Sequence, residues 1–310
     1  MPISPMIFMR TLAISVAAIG WAILPFVSTD TLAQTGAAVI PEPQFAKVPM
    51  TGAGPFGGTL ELITEVFKPA GAGPFPVLIY VHGRSGTQQE RSALSEVVPR
   101  EFLNFWLTKG FAVVAPARPG YGKTGGSDRE APGHSWDRNN RCVGTPNPER
   151  VAEVAGAAIL AAIGWVREQP WANASKLILS GNSVGGLTSV SLGATNPTGV
   201  LGYVNFAGGV GGNPALSPGK SCAPERLREA YAAYGKSTRM PSLWLYAEND
   251  LFWGPDMPRV WHAAFAAGGS PSKFVTTPPL PGQDGHELIF LGRSHWVEPV
   301  NAFIKQLGFE

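Results

Sequence analysis

The sequence has few of the residues on which several classes of protein depend. Only two of its 310 residues are cysteine, and no Cys-x-x-Cys pair occurs, which excludes the common spacing of a redox centre or a structural zinc site. Charged residues make up 15% of the chain, the net charge is +2, and lysine and arginine form no long run. Nothing therefore indicates binding to nucleic acid or to an anionic membrane surface. Hydrophobic residues, at 44%, are sufficient for a sizeable core and exclude a disordered chain.

Residues 1–33 have the layout of a secretory signal peptide. Arg10 precedes an apolar stretch over residues 11–24, and Thr31-Leu32-Ala33 supplies the small-residue exit. The apolar stretch is long enough that an uncleaved membrane anchor is the alternative. No cysteine follows it, so a lipoprotein is not indicated. We predict cleavage after Ala33, export to the periplasm or the medium without stable membrane association, and one domain over residues 34–310. The sequence carries no indication of an oligomeric state.

The remainder alternates between short apolar runs and segments with helical spacing. This succession predicts βαβ units and a mostly parallel sheet flanked by helices. An earlier run, residues 59–67, alternates in polarity and predicts an antiparallel strand, whereas residues 34–58 are rich in proline and glycine and are expected to lie over the surface as a leader. The predicted parallel strands are 76–81, 111–115, 177–180, 200–206, 242–247 and 273–277, and the predicted helices are 92–109, 149–168, 225–234 and 297–307.

One strand runs directly into the motif Gly181-Asn182-Ser183-Val184-Gly185, with Gly186 behind it. A Gly-x-Ser-x-Gly sequence between a strand and a helix is typical of a nucleophile elbow, in which the serine occupies a strained turn. The alternative is a glycine-rich turn without function, because the chain has 38 glycines. The elbow interpretation therefore requires a base and an acid elsewhere in the chain.

Candidates for the acid and the base follow the last two predicted strands. A serine hydroxyl needs an imidazole to take its proton, and the imidazole needs an acceptor to orient it. Asp250 is the favoured acid, with Glu248 and Asp284 as alternatives, and His286 is favoured over His295 as the base. The chain order of serine, acid and histidine is the one found in α/β-hydrolases.

Two backbone amides are candidates for an oxyanion hole. The amide of Val184 lies at the start of the helix behind Ser183, and the amide of Arg84 follows His82-Gly83 at the end of a predicted neighbouring strand. The alternative for Gly83 is an ordinary strand-ending glycine. No motif predicts a cofactor or a metal: the Gly-x-Gly-x-x-Gly match at 120–125 lacks the acidic companion of a dinucleotide site.

Taken together, the motifs resemble those of α/β-hydrolase-fold serine hydrolases. The residues that carry the resemblance are Val81-His82-Gly83, Arg118-Pro119-Gly120-Tyr121-Gly122, Gly181 to Gly186, Asp250 and Gly285-His286. The chain is most similar to the dienelactone-hydrolase-like and esterase branch and to serine peptidases of the same fold. The resemblance implies a mostly parallel central sheet with loop excursions over the active site, and cleavage of a small-molecule carboxylic ester through an acyl-enzyme on Ser183 without a cofactor.

The resemblance also leaves alternatives. Dienelactone hydrolase itself has a cysteine as nucleophile, so Ser183 favours simple esters over dienelactones. Cleavage of an amide or peptide, and a secreted binding protein without turnover, are the other readings.

The two cysteines, Cys142 and Cys222, fall in the two loop-rich excursions, residues 118–148 and 207–224. In an exported protein an even number of cysteines favours a disulfide, with two buried thiols as the alternative. A bridge would join the two excursions above Ser183 as a rigid lid. Trp136, Phe252 and Trp253 are candidates either for an apolar pocket or for the core.

Overall fold

A computed structural model of the chain describes residues 40–309. The predicted signal peptide, residues 1–33, lies outside the described residues. Within the described part of the chain, no helix is long and apolar enough to cross a membrane.

Eight strands form one sheet, and two short hairpins lie outside it. The spatial order of the sheet is β1-β2-β4-β3-β7-β8-β11-β12, and β5-β6 and β9-β10 are the hairpins. The strands are β1 (Gln44–Met50), β2 (Leu60–Phe67), β3 (Phe75–Val81), β4 (Ala112–Pro116), β5 (His134–Trp136), β6 (Cys142–Gly144), β7 (Ala172–Asn182), β8 (Val200–Phe206), β9 (Gly212–Asn213), β10 (Ser217–Ser221), β11 (Ser242–Ala247) and β12 (Ser272–Thr277). Only the pairings of β2 with β1 and β4 are antiparallel in the main sheet, which confirms the predicted mostly parallel sheet.

Helices cover both faces of the sheet. They are α1 (Gln88–Ser92), α2 (Arg100–Thr108), α3 (Pro148–Arg167), α4 (Val184–Ala194), α5 (Pro224–Ser237), α6 (Met257–Ala266), α7 (Leu288–Leu291) and α8 (Arg293–Gln306). In β3, Val77 and Ile79 enter a core with α3 to α6, whereas Leu78 and Tyr80 enter a second core with α2, α7 and α8. This two-sided burial explains why the run from 76 to 81 is apolar without interruption.

Two expectations about the first third of the chain are wrong. The segment expected to be a surface leader contains β1, which pairs antiparallel with β2 and buries Val48. An edge strand tolerates Pro49, whose missing amide proton needs no partner there. The predicted helix over 92–109 is helical mainly in its second half: α1 ends at Ser92, residues 93–99 are not helical, and α2 spans Arg100–Thr108. Pro99 is the N-cap residue of α2, and a proline disfavours helical backbone at the residue before it.

Candidate active site

Ser183 occupies the tight turn between β7 and α4. Its backbone angles, φ 55° and ψ −123°, lie where residues other than glycine are rare, so the turn is strained. The neighbouring glycines make this turn possible. A Cβ on Gly185 would overlap the carbonyl oxygen of Val81, and one on Gly181 would overlap the carbonyl oxygen of Gly185. The spacing of the motif thus reflects the close packing of helix, turn and strand.

His286 and Asp250 form a buried pair beside the elbow. The Nδ1 atom of His286 lies 3.1 Å from Oδ2 of Asp250, and the two residues are 6% and 1% exposed. The other carboxylate oxygen of Asp250 accepts hydrogen bonds from the amides of Phe252 and Trp253, at 2.8 and 3.0 Å. These contacts hold the carboxylate in one orientation, with Oδ2 directed at the imidazole.

Aromatic rings fix the orientation of the imidazole. The ring of Phe252 stacks on His286 with centroids 3.9 Å apart, and Trp253 contacts it edge-on at 5.5 Å. The indole of Trp253 in turn donates to the carbonyl of Ala207 at 2.8 Å. The ring therefore has little freedom to rotate away from Asp250.

The pKa of His286 is shifted by opposing effects. Burial of the ring lowers its pKa, but the charge of Asp250, the hydrogen bond to Asp250 and the charges of Asp284 and Glu287 together raise the pKa by more, so that it lies above the ordinary value of 6.5. Because Asp250 accepts from Nδ1–H, the neutral ring leaves Nε2 free to accept a proton.

The alternative acids and base have other surroundings. Asp284 accepts from the backbone amides of His286 and Leu251, at 2.9 and 2.8 Å, and so connects the loops that carry the base and the acid. Glu248 is exposed at the end of β11. His295 lies in α8 and does not line either of the cavities around Ser183.

Two cavities meet at Ser183. The smaller, about 260 Å³, is lined by both Ser183 and His286; the larger, about 600 Å³, is lined by Ser183, Phe252 and Trp253. Within the described residues the Ser183 hydroxyl makes no hydrogen bond to His286. Such bonds often form only when substrate is bound, so the shared cavity is the relevant observation.

The two candidate oxyanion amides lie on either side of the elbow. Val184 is the first residue of α4, where a helix leaves amides without an internal acceptor, and Arg84 follows the end of β3. A Cβ on Gly83 would lie 3.4 Å from Cβ of Ser183, which shows how closely this loop approaches the nucleophile. In the described part of the chain, neither amide donates to a protein acceptor.

The disulfide between Cys142 and Cys222 is confirmed, with Cα atoms 5.1 Å apart. It joins the β5–β6 hairpin to the segment after β10. His134, from the first excursion, and Gly211, from the second, both line the larger cavity. Trp136 does not line it; its indole donates to the carbonyl of Gly211 at 3.0 Å and so adds a second link between the excursions.

The sequence did not predict a polar cluster behind the oxyanion loop. Arg118 and Glu130 form a buried ion pair, and Arg118 also contacts the carbonyls of His82 and Gly83. In the sequence Arg118 is recognisable only as part of the motif 118–122, and nothing there pairs it with Glu130. Among residues 40–309, no group of three or more His, Cys, Asp or Glu side chains is placed to hold a metal ion.

The fold is similar to that of several solved hydrolases. A puromycin-hydrolyzing peptidase from Mycobacterium tuberculosis superposes with a TM-score of 0.57 at 19% identity, over 87% of this chain and 40% of the peptidase. An esterase from Pyrococcus furiosus gives 0.54 at 12% identity, over 86% of this chain and 91% of the esterase. A candidate dienelactone hydrolase from Klebsiella pneumoniae gives 0.52 at 18% identity, over 87% and 98%.

These similarities confirm the predicted α/β-hydrolase fold. At such low identity they establish the fold and leave the reaction to be argued from the site. The chain spans only 40% of the length of the peptidase, but nearly the whole length of the other two proteins. No family model matches the sequence, and a search of curated proteins found no match.

Proposed function

We propose that the protein is an exported serine hydrolase that cleaves carboxylic esters through an acyl-enzyme on Ser183. The observation that carries the proposal is a strained elbow serine that shares a cavity with a histidine whose Nδ1 is held by a buried carboxylate. A serine in a structural turn has no need of such a partner.

The chemistry follows from the position of the proton on His286. Ser183 Oγ attacks the ester carbonyl while Nε2 of His286 takes the hydroxyl proton, and Asp250 stabilises the imidazolium that results. The imidazolium then returns the proton to the leaving alcohol as the C–O bond breaks. Water then attacks the acyl-enzyme and gives a proton to His286, and the imidazolium returns this proton to Ser183 Oγ as the acyl C–O bond breaks and the carboxylic acid is released.

The negative charge of the tetrahedral intermediate needs hydrogen-bond donors directed at the oxygen that was the substrate carbonyl. The amides of Val184 and Arg84 serve as this oxyanion hole, since both lack a protein acceptor among residues 40–309 and both adjoin the elbow. One such donor is worth roughly 10²- to 10³-fold in kcat in other serine hydrolases.

Two of the fold neighbours support ester cleavage as the first candidate. One is described as an esterase and the other as a candidate dienelactone hydrolase. Amide cleavage is the second candidate, because the matched part of the peptidase superposes with a similar TM-score. Export is supported by the disulfide, since such bonds persist mainly in oxidising compartments.

A fluorophosphonate probe tests the proposal directly. We expect the purified protein to be labelled at Ser183, labelling to disappear in Ser183→Ala and to fall sharply in His286→Ala, and short p-nitrophenyl esters to be hydrolysed far faster than the matching anilides. Absence of labelling in folded protein would instead support a binding protein without turnover. Faster anilide cleavage would support an amidase.

A further inference from the structure

The peptide group between Gly83 and Arg84 is held from behind by two side chains. Its carbonyl oxygen lies 2.7 Å from Nδ1 of His82 and 3.2 Å from Nη2 of Arg118. The backbone amide of Arg118 donates to Nε2 of His82 at 3.2 Å. Because Nε2 accepts, the proton of the neutral ring is on Nδ1, and His82 donates to the Gly83 carbonyl.

His82 remains neutral, as this arrangement requires. Burial of the ring lowers its pKa well below 6.5, and the positive charge of Arg118 lowers it further. A protonated ring would lose the bond from the Arg118 amide. His82 is therefore a fixed donor in the pH range where His286 titrates.

Arg118 is itself held rigidly. It is 0% exposed, and Glu130, which is 1% exposed, accepts from its Nε at 2.5 Å and its Nη2 at 2.9 Å. The remaining donors of the guanidinium reach the backbone: Nη1 contacts the His82 carbonyl at 2.5 Å and Nη2 the Gly83 carbonyl. One planar group thus fixes two successive carbonyls at the end of β3.

The geometry points to Arg118 as a positioning residue for the oxyanion hole. In a trans peptide the C=O and the N–H are coplanar and point in opposite directions. Donors that fix the Gly83 carbonyl therefore fix the direction of the Arg84 amide on the other side of the same plane, toward the cavity. We propose that the Arg118–Glu130 pair, with His82, holds this amide in place for the transition state; the inference rests on the proposed function.

A purely structural role explains the pair less well. Burying an Arg–Glu pair gains little net stability, because removing both charges from water costs as much as their attraction returns. An apolar pair of similar volume would fill the same space. The oxyanion peptide, by contrast, needs a donor whose direction does not relax when charge develops on the substrate.

The test replaces both charges together, so that neither is left unpaired. In Arg118→Met/Glu130→Leu we expect kcat for a p-nitrophenyl ester to fall about 10- to 100-fold, below the loss for a deleted donor, with KM within about twofold. Affinity for an alkyl boronic acid, which forms a tetrahedral adduct on serine, should fall by the same factor as kcat/KM. Arg118→Lys is the second variant. It keeps the buried charge but cannot contact the carbonyls of both His82 and Gly83, so kcat should again fall while KM changes little.

A stability control separates positioning from loss of packing. Val48→Ala removes buried volume in β1, away from the site, and should lower stability while leaving kcat per labelled active site unchanged. Unchanged kcat and boronic acid affinity in both folded Arg118 variants would overturn the inference, as would unchanged values in Arg118→Lys alone if the double variant does not fold. Failure of the wild-type protein to label at Ser183 would overturn the proposed function and this inference together.

Discussion

At the scale of single residues, the carboxylates of Asp250 and Asp284 make different contacts in this site. Asp250 contacts the imidazole, whereas Asp284 contacts only backbone amides among the described residues. The sequence favoured Asp250 but left Asp284 as an alternative, because both lie in loops that follow strands, and the folded chain shows which one faces Nδ1. The strained serine was predictable because the residues that create it are adjacent in sequence.

Asparagine variants distinguish the two roles. Asp250→Asn keeps an oxygen for the amides of Phe252 and Trp253 but presents either a donor or a weaker acceptor to Nδ1, so we expect kcat to fall on the order of 10³- to 10⁴-fold. Asp284→Asn keeps the oxygen that accepts from the two amides and serves as the matched control, with kcat within a few-fold of wild type. The check is steady-state ester hydrolysis by both variants, normalised to probe-labelled sites. A larger loss in Asp284→Asn would reverse the assignment.

The raised pKa of His286 has consequences for pH dependence. Only the neutral ring can accept the serine proton, so kcat/KM should fall toward low pH through a pKa above 6.5. The same raised pKa makes the folded protein more stable at low pH, so stability and activity change in opposite directions with pH. A group whose pKa is raised on folding stabilises the folded state fully below its unfolded pKa, and this contribution is lost as pH rises through the folded pKa.

A pH series of kcat/KM measures this directly. Titration of His82 should not add a second fall in kcat/KM, since burial and the charge of Arg118 keep this ring neutral. In Asp250→Asn, the residual kcat/KM should fall at a lower pH than in the wild type, because the carboxylate of Asp250 no longer raises the pKa of His286. If kcat/KM falls at the same pH in this variant as in the wild type, a group other than His286 controls the pH dependence.

At the scale of elements, the two excursions are linked to each other and both contribute residues to the wall of the larger cavity. The disulfide and the Trp136 hydrogen bond both connect the β5–β6 hairpin to the segment over residues 211–222. The excursions themselves were recognisable from composition. The small hairpins within them were not predicted, since strands of two to five residues carry too little pattern.

Removal of the disulfide should affect both stability and substrate size. The two cysteines are 80 residues apart, so Cys142→Ser/Cys222→Ser should lower the free energy of unfolding by up to about 4.5 kcal/mol through the entropy of the unfolded chain. Freed from each other, the excursions should admit bulkier esters, and KM should change more for long-chain than for acetyl esters. Urea unfolding and a series of p-nitrophenyl esters measure the two effects. A reducing agent should destabilise the wild type and leave the double variant unchanged, and equal stability of both proteins would contradict the prediction.

At the scale of the whole molecule, local patterns predicted the architecture, and long-range contacts decided what they missed. Continuous apolar runs such as 76–81 reveal strands buried on both sides. β1 was missed because its pattern is short and lies between prolines and glycines, and it becomes a strand by pairing with β2. The Arg118–Glu130 pair was missed for the same reason: its partners meet only when the loop after β4 folds against the end of β3.

The predicted export relates the signal-like N-terminal segment to the disulfide of the folded domain. Disulfides persist mainly in oxidising compartments, and a signal peptide over residues 1–33, as the sequence predicts, would provide a route to one. When the full chain is produced in a bacterium, we therefore expect periplasmic protein that begins at Gln34 and contains no free thiol. A chain beginning at Gln34 and retained in the cytoplasm should fold with both thiols reduced and unfold at lower urea concentration. Intact mass, thiol titration and cell fractionation distinguish these products. A full-length chain in the membrane fraction would show that the apolar segment is an anchor, while the disulfide would still form on the outer side.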